Sequence, residues 1–173
     1  MRALAFWKTV TVDESDLLGR FIGLLEKEGI RYCVVVGQAV NAYVDPVVSL
    51  DLDLVVAVDQ MDKVMTMLCP PYQVTRFERS LSVSLPGSDL RIQILTDERY
   101  FGFVDRASKG KILGMDLPVA HIEDVLRGKI WAVQDPSRRA SKRQKDLADI
   151  SRLTEAHPDL RGQVPDEILG RLI

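Results

Sequence analysis

The sequence predicts one domain of the α/β (α+β) class: a small mixed sheet flanked by helices, with a C-terminal helical portion. Three observations predict it. Apolar residues recur at helical spacing near the start of the chain and again in its last third. Strand-length runs rich in Val and Leu alternate with short helical patterns between residues 31 and 68. Residues 73–95 then alternate polar with apolar around a Pro-Gly-Ser-Asp turn. At 173 residues and 46% apolar content the chain supports one core of ordinary size, and a split would leave both halves short of apolar material. The expected organisation is a single domain over residues 1–173, its core about residues 13–120 and its C-terminal helices about residues 121–173.

Taken in order, Leu17, Leu18, Phe21, Ile22, Leu24 and Leu25 form one helical face, with Asp13 or Ser15 able to cap its start and Gly29 able to close its end. Arg31 to Val36 is β-branched and apolar, ends at Gly37, and leads into a short helix, Gln38 to Tyr43. Asp45-Pro46 breaks the chain before a second strand, Val48 to Val58. Asp59 to Leu68 follows as a helix capped by Asp59 and stopped by Pro70-Pro71. Gln73 to Glu78, Ser80 to Leu85 and Leu90 to Leu95 read as antiparallel strands. Tyr100 to Ala107 reads as a short helix, and Ile112 to Val119, broken at Gly114, as one short extended element. Helices Ile122 to Val133, Lys142 to Ala156 and Asp166 to Leu172 complete the chain, the basic loop Pro136 to Arg143 joining the first two.

Composition narrows the function. The longest apolar run, Leu54 to Val58, is strand-sized, so no membrane span is expected. The apolar segment Ala3 to Trp7 is too short for a secretory signal, which leaves a cytoplasmic protein as the expectation. Cys33, Cys69, His121 and His157 lack the spacing of a zinc site, and the two thiols are expected in or near the core. A net charge of −2 gives no global attraction to polyanions, so any such contact needs a local patch.

Asp51 and Asp53 are the anomaly of the second strand. Strand alternation points them the same way, about 7 Å apart, while Leu50, Leu52 and Leu54 point to the core. Carboxylates so placed raise each other's pKa, and solvent or a shared cation keeps both ionised. A solvated acidic strand face and a magnesium site both satisfy this; magnesium takes hard oxygen ligands and arrives with phosphates and water. A glycine between strand and helix, here Gly37, lets backbone approach a ligand and leaves N–H groups for phosphate. A phosphate cradle and an acid pair at one sheet end are the equipment of phosphoryl or nucleotidyl transfer.

The run Val34-Val35-Val36-Gly37-Gln38-Ala39-Val40 followed by Ser49-Leu50-Asp51-Leu52-Asp53-Leu54-Val55 resembles the signature of the polymerase-β-type nucleotidyltransferase superfamily. Leu117 to Asp124, Lys129 and Lys145-Asp146-x-x-Asp149 are similar to its abortive-infection (AbiEii) toxin-like branch. The resemblance spans most of residues 30–155 and implies a nucleotidyltransferase-like fold. It implies that Asp51 and Asp53 hold Mg2+, that Gly37 and Gln38 line a nucleoside triphosphate, and that Lys129 and Lys145 approach the nucleotide. It further implies transfer of a nucleotidyl group to RNA or protein, and an antitoxin protein as partner. Two departures stand out: Gln38 occupies a position usually held by Gly or Ser, and Gln93 occupies that of the third acid, which activates the acceptor hydroxyl. An amide cannot serve as general base. Asp89 and Asp97 share its parity, each about 13 Å along the strand. That leaves a catalytically weakened module, binding nucleotide or a partner, as the alternative.

Other candidates stay open at this level. Arg138, Arg139, Lys142, Arg143 and Lys145 form a basic cluster that suits RNA, a triphosphate or plain solvation. Asp146 and Asp149 share a helix face, where they orient Lys145 or serve structure. Tyr43 and Trp131 read as core or rim aromatics.

Overall fold

A computed structural model describes residues 16–172 of the chain. The proposed caps Asp13 and Ser15 lie outside the described residues. Helix α1 (Leu17–Lys27) buries Leu17, Leu18, Phe21, Ile22 and Leu25. It closes where Gly29 turns to φ 64°, and the Ile30 N–H returns to the Leu25 carbonyl at 2.9 Å.

Among the described residues the sheet has seven strands in the order β3-β4-β5-β2-β1-β7-β6. In its interior β1 (Tyr32–Val35) is buried throughout, which is why its sequence is a continuous apolar run and not an alternating one. It pairs antiparallel with β2 (Asp51–Val56), Val35 standing opposite Asp53, and parallel with β7 (Met115–Val119). After Val35 the chain enters the short helix α2 (Val36–Val40), so residues ahead of Asp51 lose a strand partner on that side. The second strand is therefore shorter than Val48 to Val58, and Leu50 does not face the core: Val47, Val48 and Leu50 are 52%, 49% and 39% exposed. Leu52 and Leu54 are buried as alternation requires. Full burial of each contributes about 1.5–3 kcal/mol.

A 3-10 turn, Val58–Gln60, precedes α3 (Met61–Met67). The Asp59 side chain makes no cap; it pairs with Arg31 at 3.1 Å. The strands β3 (Gln73–Arg76), β4 (Ser80–Ser84) and β5 (Arg91–Leu95) form the expected antiparallel run, and β5 then lies parallel to β2 with Gln93 opposite Asp53. A 3-10 turn (Glu98–Tyr100) and α4 (Phe103–Arg106) replace the single helix expected there.

The extended element at Ile112 to Val119 is a hairpin of two strands, β6 (Ser108–Ile112) and β7, reversing at Leu113 and Gly114 with φ 52° and 84°. β6 escapes a hydrophobic-pattern reading because it is an edge strand carrying Lys109 and Lys111, charges that discourage further pairing. Helices α5 (Ile122–Gln134) and α6 (Ala140–Ala156) pack on each other and on α2, and α7 (Asp166–Leu169) follows a 3-10 segment, Pro158–Gln163. Cys33 is a core thiol, whereas Cys69 is exposed. Among the described residues no helix is long and apolar enough to cross a membrane.

Candidate active site

The antiparallel β1/β2 register carries Gly37 and Asp51 to the same end of the sheet, beyond the last ladder pair. Both line a cleft of about 450 Å³ over the ends of β2 and β5, walled by α5 and the start of α6. The backbone turn at its edge is made by Val36, whose φ of 59° puts a β-branched residue in the left-handed region. That conformation costs about 1–3 kcal/mol. Gly37 itself is helical, and a Cβ built on it meets nothing within 4 Å. The fold thus does not require glycine there, and the space its missing side chain leaves is cleft. With only five residues α2 has little macrodipole; what it offers a phosphate is its first N–H groups, which have no partner within the helix.

Gln38 does not line the cleft. It is 2% exposed, donates through Nε2 to the Ser49 carbonyl at 3.3 Å, and accepts at Oε1 from Asn41 Nδ2 at 3.2 Å. One residue into a helix, the side chain rotates away from the face that Gly37 presents, so Gln38 does not take the place beside the triphosphate that the resemblance implied.

Asp51 and Asp53 share the cleft face of β2, as alternation predicts. Asp53 sits at the base, enclosed by protein yet reached by solvent through the cleft, and its carboxylate makes no hydrogen bond or ion pair among the described residues. Burial first, then the Asp51 carboxylate beside it, push its pKa up to about 6, against the opposing pull of Lys129, Lys145 and Arg138. Asp51 pairs with Arg91 Nε at 3.1 Å, and the arginine is 57% exposed. An exposed pair of this kind is worth at most about 1 kcal/mol, so a cation can replace the guanidinium at little cost.

Gln93 faces the same cleft and donates through Nε2 to Ser82 Oγ at 3.1 Å. Of the two acids that share its parity, Asp89 is exposed and outside the cleft lining, while Asp97 is in it. Arg99 grips Asp97 through Nε at 3.1 Å and Nη2 at 2.7 Å, and these hydrogen bonds hold its carboxyl below the ordinary value. A carboxylate so held is a poor proton acceptor.

The residues fit magnesium in a particular way. Among the described residues no group of three or more His, Cys, Asp or Glu side chains forms a metal cage. Two hard carboxylates, one of them unpartnered and destabilised as an anion, suit an ion that completes its shell with phosphate and water.

The basic residues divide into two sets. Lys129 lies at the cleft floor, but its ammonium is buried between Asp146 at 2.9 Å and Asp149 at 2.7 Å. Its expected approach to a nucleotide is thus limited: an ammonium so enclosed has its charge already matched. Asp146 also takes Arg138 at 2.8 Å, so the two acids serve this buried cluster and do not orient Lys145. Arg143 is structural as well, donating to the carbonyls of Asp135 and Arg138. Lys142 and Lys145 line the cleft and have no ion-pair partner among the described residues. Sequence reasoning passed over Arg79, Arg91 and Arg99, which also line it. Arg91 was findable, since it lies two residues before Gln93 and shares its strand face. Trp131 is a rim aromatic with the Arg99 guanidinium 4.9 Å over its ring, and Tyr43 donates to the Ala120 carbonyl at 2.7 Å.

No family profile and no curated protein sequence matches the chain. Solved structures do. The complex of ANT(2'')-Ia with adenylyl-2''-tobramycin aligns with a TM-score of 0.62 at 12% identity, covering 91% of this chain and 97% of that one. An antigenic nucleotidyltransferase-like protein from Paracoccidioides brasiliensis aligns with a TM-score of 0.60 at 17% identity, covering 94% and 88%. The lincomycin-bound lincosamide antibiotic adenylyltransferase LnuA aligns with a TM-score of 0.56 at 14% identity, covering 83% and 99%. The mixed seven-stranded sheet with its flanking helices is a nucleotidyltransferase-like fold.

Proposed function

We propose that the protein is a magnesium-dependent nucleotidyltransferase of the polymerase-β type that moves a nucleotidyl group from a nucleoside triphosphate to an acceptor hydroxyl. The observation that carries the proposal is the position of Asp53: a partly enclosed carboxylate beside Asp51, without an ion-pair partner among the described residues, facing open cleft across from Gly37. Bound magnesium supplies charge neutralisation of the triphosphate. The chain's own part is to hold Asp51 and Asp53 on one strand face, to present the N–H groups at Gly37, and to bring Lys142 and Lys145 over the phosphates. Within this reading RNA or protein is the acceptor, in keeping with the AbiEii-like motifs, and an antitoxin protein is the partner to look for. The antibiotic complexes of the structural neighbours make small hydroxyl compounds a necessary control.

Two observations favour a second reading. Gln93 stands opposite Asp53 where proton abstraction from the acceptor needs a base, and Asp97 is tied to Arg99. A protein so equipped binds nucleotide and turns it over slowly or not at all. The test is transfer of label from each of the four α-labelled NTPs with magnesium to total RNA, protein or an aminoglycoside, using the parent, Asp51→Asn and Asp53→Asn. Label transfer lost in both variants supports the enzyme; nucleotide binding without transfer in the parent supports the weakened module; no binding in the parent rejects both.

A further inference from the structure

Residues 41–50 connect the turn at Gly37 to the acid pair, and they contain neither helix nor strand. Continued past its last pair, the β1/β2 register would set Gly37 opposite Asp51, but β1 has already turned into α2. On this side the first residues of β2 therefore have no ladder to hold them, at the place where the spacing between phosphate turn and carboxylate matters. Side chains take over. Asn41 makes both bonds a strand neighbour would make to Val47, donating through Nδ2 to its carbonyl at 2.7 Å and accepting its N–H at Oδ1 at 2.9 Å. The same Nδ2 reaches Gln38 Oε1, and buried Gln38 ties the Ser49 carbonyl, two residues before Asp51. Arg152, from α6, closes the set: its Nη2 donates to Asn41 Oδ1 at 3.3 Å and to the Asp45 carbonyl, while its Nη1 holds Asp149 at 2.8 Å.

We infer that Gln38, Asn41 and Arg152 form a clamp of positioning residues that sets the distance between the Gly37 turn and Asp51, and thereby the share of nucleotide affinity that depends on magnesium. The inference rests on the proposed nucleotide site. It gives Gln38, out of the cleft, a reason to be there: an amide both donates to Ser49 and accepts from Asn41, which neither Gly nor a hydrophobic residue does. It also couples the donor end of the cleft to the buried Lys129 cluster, because Asp149 binds Lys129 and Arg152 together.

The test uses the full chain with Asn41→Ala, Gln38→Met and Arg152→Lys; the lysine keeps a charge for Asp149 but has no fork to span Asn41 and Asp45. Amide hydrogen exchange is measured over residues 47–51 and over β5, and calorimetry gives the Kd of ATP with and without magnesium. The clamp predicts faster exchange at Val47 and Asp51 with β5 unchanged. It also predicts loss of magnesium-dependent affinity on the order of ten- to a hundredfold, the usual effect of removing a partner that orients a metal ligand, with magnesium-free affinity kept. A purely structural role would lower both affinities together or neither. If Asn41→Ala does not fold, Arg152→Lys and Gln38→Met carry the comparison. Unchanged magnesium dependence in variants with faster exchange overturns the clamp and leaves the proposed function standing; a parent that does not bind Mg·ATP overturns both.

Discussion

Gly37→Ala separates a glycine kept for the fold from one kept for a ligand. The residue lies in α2 with helical backbone, and a Cβ added to it meets no atom within 4 Å beyond its chain neighbours and the backbone of its own helix. Replacing a helical glycine by alanine removes backbone entropy from the unfolded chain and stabilises by about 0.5–1 kcal/mol. For a chain of this size that raises Tm by about 1–4 °C. The new methyl stands in the cleft, beside the N–H groups proposed to take phosphate, so on that proposal Mg·ATP affinity falls at least about tenfold, or about 1.4 kcal/mol. Thermal unfolding and calorimetric titration on the same preparation measure both. A more stable variant with unchanged affinity would refute the placement of phosphate at this turn, and a less stable one would refute the account of the glycine.

Three further expectations follow from the same geometry. Gln93→Glu places a carboxylate opposite Asp53 without a change of size, and label transfer should rise by about 10²- to 10⁴-fold if proton abstraction is what the site lacks; a fall in rate would show that the amide has its own function. Asp53 is pushed up to about 6 from 3.8, so its ionised form opposes folding at pH 7 and the penalty is relieved as pH falls through 6 towards 4. Without metal, Asp53→Asn should therefore be more stable than the parent at pH 7 by up to about 3 kcal/mol, an advantage that vanishes by pH 4. Denaturant unfolding at both pH values checks this, and an advantage independent of pH would contradict it. Lys129→Met leaves the buried Asp146 and Asp149 with one arginine each, Arg138 and Arg152, and no charge between them, and should cost up to about 3–5 kcal/mol. A loss below about 1 kcal/mol would mean that the lysine is free to serve the cleft.

Period and punctuation made much of the fold legible. The faces of α1 and α5, the leucines at 52 and 54, the turn at residues 86–89 and the shared end of Gly37 and Asp51 all follow from local chemistry. What escaped depended on tertiary context. β6 is polar because it is an edge, and Leu50 is exposed because β1 has already turned away beside it. Gln38 and Gly37 are neighbours in sequence, yet α2 sends one inward and leaves the other at the cleft, a rotation that a strand-turn reading does not contain. Lys129 looked available because its partners lie on the next helix, seventeen and twenty residues on. Gln93 was found through the family resemblance, and strand parity counted from it also marks Arg91, whose pairing with Asp51 shows only once β5 lies beside β2.

On the proposed function, Asp51 and Asp53 make this cleft a magnesium-dependent nucleotide site. Calorimetric titration of ATP, with and without magnesium, into the parent and into the double variant Asp51→Asn with Asp53→Asn tests it most directly. The amides keep the shape and remove the charge. Magnesium should tighten binding to the parent and have no effect on the double variant. Equal affinity in all four titrations would contradict it and leave the two carboxylates as a solvated strand face.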